Sequence, residues 1–395
     1  MAHTKLTDSL QFPDSANPTK LFLSIGAVGV VASLVGVVVN YEKFLHSYLT
    51  SFTFFISIAL ASMFLVMIHH ITRSNWATTL RRIPETFFSY IWVFGILFIP
   101  VLLGISTLYG WAGEQTGGDF YTNLQEYKSP YLNTTFFIIR NIIYFSIWSF
   151  LGYKLYSSSI EMDNASDWSI DTRFRKISAA GIFLFGFTVA FASFDWIMTL
   201  KFEWYSTMFG VYYFAMSFQA IFAILLLVIF YLRKKGLLLN TINRAHIRDL
   251  GNWLFAFSVF YTYIAFGQFF LIYYANIPEA TMFFYYRMEG NWEYLLYGTL
   301  VGRFLIPFIF LLSKPAKANY SILAFVSVVV VISHIVELYW LIMPALHDSF
   351  SFHWLDIATF LGLAGIFFAL FFFNFKQHSM VPTNDPHLAD SLNKH

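Results

Sequence analysis

The chain has 395 residues, of which 58% are hydrophobic and only 12% are charged, and its formal net charge is +2. Soluble domains carry about 25% charged residues, so this composition excludes a soluble globular protein, and the small net charge does not indicate a nucleic-acid partner. Because the chain contains no cysteine, it cannot itself hold an iron–sulfur cluster, attach c-type haem or form a disulfide.

Ten apolar stretches predict ten membrane-spanning helices, since about 20 apolar residues cross the hydrocarbon core and lipid leaves no partner for unpaired backbone groups. The predicted spans are residues 20–40, 46–70, 85–110, 132–155, 176–199, 204–232, 250–275, 292–313, 319–344 and 354–375. The sequence therefore predicts an all-α integral membrane protein. Residues 1–19 form an N-terminal tail, residues 20–375 form the ten-helix domain, and residues 376–395 form a disordered C-terminal tail.

The Lys and Arg residues sort to one side of these spans. With the N-terminus placed inside, the inner segments hold eighteen of the 24 basic residues and the outer segments hold four, namely Lys43, Lys128, Lys201 and Arg287. The other two, Arg140 and Arg303, fall within spans. Basic residues accumulate in cytoplasmic loops, so we expect both termini to be cytoplasmic.

The first span is rich in small residues. Gly29 and Ser33 are four positions apart, as are Ala32 and Gly36, and such spacing lets two helices approach closely. We therefore expect this face of the first span to pack against another helix, either in this chain or in another subunit.

The fourth and eighth spans resemble each other. Each contains a single Arg, Arg140 and Arg303, and the span after each carries an acid toward its outer end, Asp195 and Glu337 respectively. A displacement of four helices is even, so these units would be parallel repeats. Chance similarity between Phe-rich spans is the competing explanation.

Ionisable side chains within spans are costly and mark candidate sites. The candidates in or next to the predicted spans are Asp195, Glu203, His334, Glu337, Asp356, His69, His70 and Asp249. Two interpretations remain open. Arg140 and Arg303 could simply neutralise Asp195 and Glu337 and fix the helix register, or these acids and His334 could form a proton-exchanging cluster. In the second interpretation, protons would enter from the cytoplasm at His69 and His70, or at Asp249 nearby. The alternative is that these residues only lie at the membrane interface.

The sequence indicates no catalytic residue and no cofactor held by this chain. A b-type haem needs two axial ligands at one depth, whereas His334 lies in the outer half and His69 and His70 lie at the inner edge. No phosphate-binding loop, dinucleotide fingerprint or zinc-binding motif occurs. The sequence therefore favours a subunit that conducts protons or docks other proteins, rather than a self-contained enzyme.

Two stretches carry a family resemblance. The segment ASFDWIMTLKFEWYSTMFG covers residues 192–210, and HIVELYWLIMP covers residues 334–344. With the ten-span plan, they resemble the NrfD/polysulfide-reductase-like membrane subunits of alternative complex III, and among these the smaller of two paralogous subunits.

The resemblance implies a place in a bacterial respiratory chain, in the inner membrane. Such complexes oxidise quinol and pass electrons to a cytochrome c or a terminal oxidase. The expected partners are a paralogous ten-helix subunit with the quinol site, an iron–sulfur subunit, and multihaem and monohaem cytochrome c subunits that hold the redox centres. It also implies two four-helix bundles, spans 2–5 and 6–9, and a proton route for which Asp195, Glu203, His334 and Glu337 are the matching candidates.

Two other functions remain open. The chain could bind quinol itself, near the outer ends of spans two to five. It could instead be a stand-alone secondary transporter, since parallel repeats and buried ionisable groups occur in such proteins. Against a transporter, Pro100 and Pro307 do not mark a matching pair of broken spans.

Overall fold

A computed structural model describes residues 8–113, 118–164 and 169–394. Within these residues, ten helices are long and apolar enough to cross a membrane, which confirms the predicted number of spans. The helices are α1 (Thr19–Val39), α2 (Tyr41–Thr72), α3 (Arg82–Leu103), α4 (Thr134–Met162), α5 (Ser169–Trp196), α6 (Phe209–Lys234), α7 (Arg244–Ala275), α8 (Trp292–Leu311), α9 (Tyr320–Ile342) and α10 (Trp354–Gln377).

Helices α2 and α6 occupy the centre of the molecule. Both are predominantly apolar and are buried on nearly every face, as expected for core helices. Helix α2 packs against α3, α5, α6, α9 and α10, and α6 also packs against α5, α7 and α9. The remaining helices form a shell around these two.

Helix α1 packs along α10 through glycines. A Cβ built on Gly29 would lie 2.2 Å from the backbone nitrogen of Gly362, and one on Gly365 would lie 2.2 Å from the Cα of Gly26. The two backbones therefore touch at positions where no larger residue fits. The small-residue face predicted for the first span has its partner within the chain.

Helices α3 and α8 are interrupted. Helix α3 is split into the segments Arg82–Phe88, Ile91–Leu97 and Ile99–Leu103, the last with Pro100 in its first turn. Helix α8 contains a π-helical turn, Val301–Leu305, just before Pro307. Single π turns release backbone groups from the regular ladder and often occur at functional sites.

Both ends of the described chain lie on one face, which we call the terminal face. Gln11 forms a bridge with Ser379, and Leu10 accepts a hydrogen bond from the amide of Met380. The expectation of a disordered C-terminal tail is wrong for residues 378–394. Met380 and Val381 are buried, and a short helix, Leu388–Leu392, packs against the α2–α3 link.

The face at the other ends of the helices is the opposite face. It carries two short helices, Asp119–Lys128 and Pro278–Tyr285, that connect α3 to α4 and α7 to α8. Helix α2 begins at Tyr41 rather than at residue 46. Consequently Lys43, expected in an outer loop, is a buried residue of the first turn of α2.

Candidate proton-exchange site

Glu337 lies at the centre of a polar cluster between α6, α7, α8 and α9. Its side chain is buried, and its Oε1 accepts hydrogen bonds from the hydroxyls of Tyr212 and Tyr261. Its Oε2 lies 2.6 Å from Arg303 Nε as an ion pair, although the angle does not make a hydrogen bond. The carboxylate is therefore held by one cation and two phenols, in surroundings where burying an unpaired charge would cost several kcal/mol.

His334 extends this cluster to α2. Arg303 Nη2 can only donate, so His334 Nδ1 accepts, and the proton of the neutral imidazole is on Nε2. That nitrogen lies 2.9 Å from Ser57 Oγ, whose own proton is donated to the carbonyl oxygen of Phe54. One chain of polar contacts thus runs from Ser57 on α2 to the tyrosines on α6 and α7.

The π turn in α8 is anchored by Gln219 of α6. The Gln219 amide donates to the carbonyl oxygen of Arg303 and to Ser258 Oγ, each at 2.8 Å, while its Oε1 accepts from Arg303 Nη1. A carbonyl oxygen within the π turn therefore has a side-chain donor. This side chain fixes both the turn and the guanidinium that reaches Glu337.

A cavity of about 650 Å³ adjoins Glu337. Tyr212, Tyr261 and Glu337 provide its polar end, and its other walls are mostly aromatic and aliphatic. Two further lining atoms, Gln268 Oε1 and Thr299 Oγ1, are buried without a hydrogen-bond partner among the described residues. The cavity combines an apolar body with a few convergent polar groups, as ligand pockets do.

Asp195 has a similar but more closed environment. Arg140 contacts both carboxylate oxygens, with Nε–Oδ2 and Nη2–Oδ1 distances of 2.8 and 2.9 Å. Tyr131 and Tyr144 each donate a hydroxyl to one of these oxygens. Such two-point pairing satisfies the carboxylate with fixed geometry.

The two clusters have the same chemistry but are not copies. Each contains one acid, one Arg and two Tyr hydroxyls. However, Tyr144 lies on α4 and Tyr131 lies in the loop just before it, whereas Tyr212 and Tyr261 come from two different helices, α6 and α7. The position three residues before the acid is His334 in α9 but Ala192 in α5. Of the two clusters, only that of Glu337 contains an imidazole, His334.

Asp356, the predicted candidate at the start of α10, belongs to a third buried pair. Lys43 Nζ lies 3.2 Å from Asp356 Oδ1, and Ser47 donates to the same oxygen. Tyr339 of α9 donates to Asp356 Oδ2, at 3.2 Å. Because Tyr339 is two residues after Glu337, this pair lies between the Glu337 cluster and the opposite face.

His69 and His70 are at the terminal-face end of α2. His69 Nδ1 and His70 Nε2 are buried without a hydrogen-bond partner among the described residues, and both side chains line a small cavity of about 20 Å³ with Arg81 and His387. This volume holds about one water molecule. The structure does not bring these histidines together with Glu337.

Two other candidates lie apart from the buried clusters. Asp249 is partly exposed and pairs with Lys394 of the C-terminal segment. Glu203 precedes α6, which begins only at Phe209, so it is not the first residue of a span as expected. It lies near Lys128, whose pKa is lowered by burial, an effect that Glu203 opposes.

Sequence reasoning missed several buried ionisable groups, of which Glu85 and Arg287 are two. Glu85, in the first turn of α3, contacts Arg81 and Ser159 in the terminal-face half. Arg287, expected in an outer loop, is buried beside the 650 Å³ cavity and donates to the carbonyl oxygens of Phe283 and Leu341. Burial lowers the pKa of Arg287 to about 9. The aromatic residues around Arg287, in the run FFYYRM of residues 283–288, were the sequence feature that could have indicated its burial.

Comparisons with known proteins do not identify the chain. No protein-family model matches it, and no curated protein sequence matches it significantly. Among the described residues, no group of three or more His, Asp or Glu side chains is arranged to hold a metal ion.

Proposed function

We propose that this chain is an integral membrane subunit of a quinol:cytochrome c or quinol:terminal oxidase complex of the alternative complex III type. It would provide a proton path and a docking surface, while partner subunits hold the haem c and iron–sulfur centres. The observation that carries the proposal is the continuous polar chain from Ser57 through His334 and Arg303 to Glu337, buried among apolar helices.

The helix contacts support the two-bundle arrangement that the family resemblance implies. Helices α2, α3, α4 and α5 each pack against two neighbours within their group, and α6, α7, α8 and α9 do the same. The buried acids occupy the last helix of each group. We therefore propose two four-helix bundles, with α1 and α10 paired beside them and with the terminal face in the cytoplasm.

Of the two acids, Glu337 is the better candidate for proton exchange. Its carboxylate borders a cavity and is in contact with a histidine-linked chain, whereas Asp195 is closed by a two-point pair with Arg140. We assign Asp195 a positioning role and Glu337 the proton-carrying role. Asp356, between Glu337 and the opposite face, is the proposed next group.

Glu337→Gln tests this proposal. The amide keeps the size of the side chain but cannot carry a proton, so we expect the assembled complex to retain electron transfer from quinol and to translocate about tenfold fewer protons per electron. Proton release would be measured with the complex in proteoliposomes.

The exposed acid Glu279, on the opposite-face helix Pro278–Tyr285, provides a control. Glu279→Gln makes the same chemical change and should leave proton release unchanged. Normal proton release in Glu337→Gln would remove the proton role. Purification of the chain without haem-bearing or cluster-bearing proteins would remove the subunit assignment.

The 650 Å³ cavity favours quinol binding as a second candidate function. Its size lies within the usual range of about 300–1,000 Å³ for small-molecule sites, and the unpaired Gln268 Oε1 could accept a hydrogen bond from a quinol hydroxyl. The cavity lies in the α6–α9 half, not near spans two to five, where the sequence placed this alternative.

Gln268→Leu separates the two functions. It removes the unpaired acceptor but does not touch the chain from Ser57 to Glu337. If quinol binds here, a photoreactive benzoquinone should label α7 and α8 of the unmodified protein and label the variant at least about fivefold less, since one hydrogen bond contributes about 1 kcal/mol. Equal labelling in both would reject this candidate, and unchanged proton release in the variant would leave the first one intact.

A further inference from the structure

A second large cavity lies on the terminal face and shares no lining residue with the cavity beside Glu337. It has a volume of about 630 Å³ and lies between the first turns of α7 and the link from α8 to α9. Its cationic lining side chains are Arg244, Arg248, Lys314 and Lys394. We call this cavity the basic groove.

Most of the positive charge in the basic groove is not neutralised. Lys394 pairs with Asp249, but Arg244, Arg248 and Lys314 have no carboxylate partner among the described residues. The first turn of α7 adds partial positive charge from its backbone amides. Three unpaired cations around one concave surface favour an anionic occupant.

An apolar stripe begins next to the groove. Leu305 and Ile309 of α8 and Leu312, which caps the end of this helix in a helical conformation, are exposed. They lie three to four positions apart and therefore share one face. Lys314 follows two residues after the end of this stripe. A molecule in the groove could therefore lay an acyl chain along α8 toward the middle of the membrane.

We propose that the basic groove binds the head group of an anionic phospholipid. Phosphate oxygens would contact Arg244, Arg248 and Lys314, and one acyl chain would pack on Leu312, Ile309 and Leu305. Basic pockets between membrane helices at the head-group level bind anionic lipids in this way. The site is independent of the proton path and of the quinol cavity.

The test uses the full chain, purified in detergent and stripped of lipid. Phosphatidylglycerol and phosphatidylcholine are added separately, and bound lipid is counted by native mass spectrometry. The variant Arg244→Gln/Arg248→Gln/Lys314→Gln is compared with Lys154→Gln/Lys176→Gln/Lys234→Gln. The second variant removes the same charge from exposed positions in the terminal-face ends of α4, α5 and α6.

We expect the groove variant to bind phosphatidylglycerol about tenfold or more weakly than the unmodified chain, since each contacting cation strengthens binding to anionic lipid. The second variant should bind it normally, and the charge-preserving Arg244→Lys/Arg248→Lys/Lys314→Arg should retain binding.

Equal loss in the two Gln variants would overturn the proposal, as would equal binding of phosphatidylcholine. Displacement of the lipid by millimolar inorganic phosphate would identify a free-anion site instead. Unchanged thermal unfolding in lipid-free detergent would show that the groove variant is folded.

Discussion

At the scale of single residues, this molecule is defined by charges buried in pairs. Asp195, Glu337 and Asp356 are each in contact with one cation and with hydroxyl groups. The desolvation of a buried ion pair can exceed its Coulombic gain, so pairing is weak evidence for stability. Instead, each pair fixes the rotation of its helices about their axes. Any other rotation would leave an unpaired charge among apolar helices, which would cost far more free energy.

Arg140 shows this asymmetry. Arg140→Met leaves Asp195 buried and uncompensated, so we expect it to lower the free energy of unfolding by about 3–5 kcal/mol. Arg140→Met/Asp195→Leu removes both charges and should recover much of that loss. The measurement is unfolding in mixed detergent micelles.

The exposed pair between Arg173 and Glu161 provides the comparison. Arg173→Met should change the free energy of unfolding by about 0–1 kcal/mol, the usual contribution of a surface pair. Equal effects of Arg140→Met and Arg173→Met would contradict the importance of the buried pair.

At the scale of helices, close backbone contact and local breaks position the clusters. Glycines bring α1 against α10, while the π turn in α8 turns Arg303 toward Glu337 and is held there by Gln219. The α1–α10 contact depends on the absence of side chains, so it should be sensitive to a single methyl group.

Gly29→Ala is therefore expected to weaken this contact. The added Cβ would lie 2.2 Å from the Gly362 nitrogen, and one backbone must move. We expect a loss of about 1–3 kcal/mol, the usual cost of overpacking, measured as a lower unfolding temperature. Gly186→Ala in α5 is the matched control, because its Cβ meets nothing within 4 Å. A similar decrease for both variants would show that helix packing is not the cause.

At the scale of the whole molecule, the C-terminal segment closes the terminal face. It contacts the link between α2 and α3 through Ser391, the start of α7 through Lys394, and Arg81 through Asp385. Burial opposes the charge of Arg81, but Asp385 and Glu85 raise its pKa above the usual value. This segment therefore belongs to the folded body.

The orientation of the molecule can be tested directly because the chain has no cysteine. Single cysteines at Lys154 and Lys234 would report on the terminal face, and single cysteines at Tyr127 and Glu279 on the opposite face. In intact cells, a membrane-impermeant maleimide should label only the second pair. Labelling of the first pair alone would reverse the proposed orientation.

Sequence reasoning predicted the number of spans, their approximate bounds and the packing face of α1. It also selected Arg140, Asp195, Arg303, His334 and Glu337 as residues to examine. It placed Lys43 in an outer loop and missed Glu85. It did not predict that Arg287 would be buried, or that residues 378–394 would fold onto the terminal face. These errors concern residues near helix ends, where one turn decides between water and the interior.

Hydropathy and the sidedness of charge are sums over neighbouring residues, so the sequence alone determined that this is a ten-helix membrane protein with its basic residues on one side. Which groups meet depends on how far each helix is rotated and on contacts between distant residues. Ser57 meets His334 across 277 positions, and Tyr212 reaches Glu337 across 125. Only the tertiary structure decided that Glu337 borders a cavity between α6, α7, α8 and α9, while Asp195 is closed by its pair with Arg140.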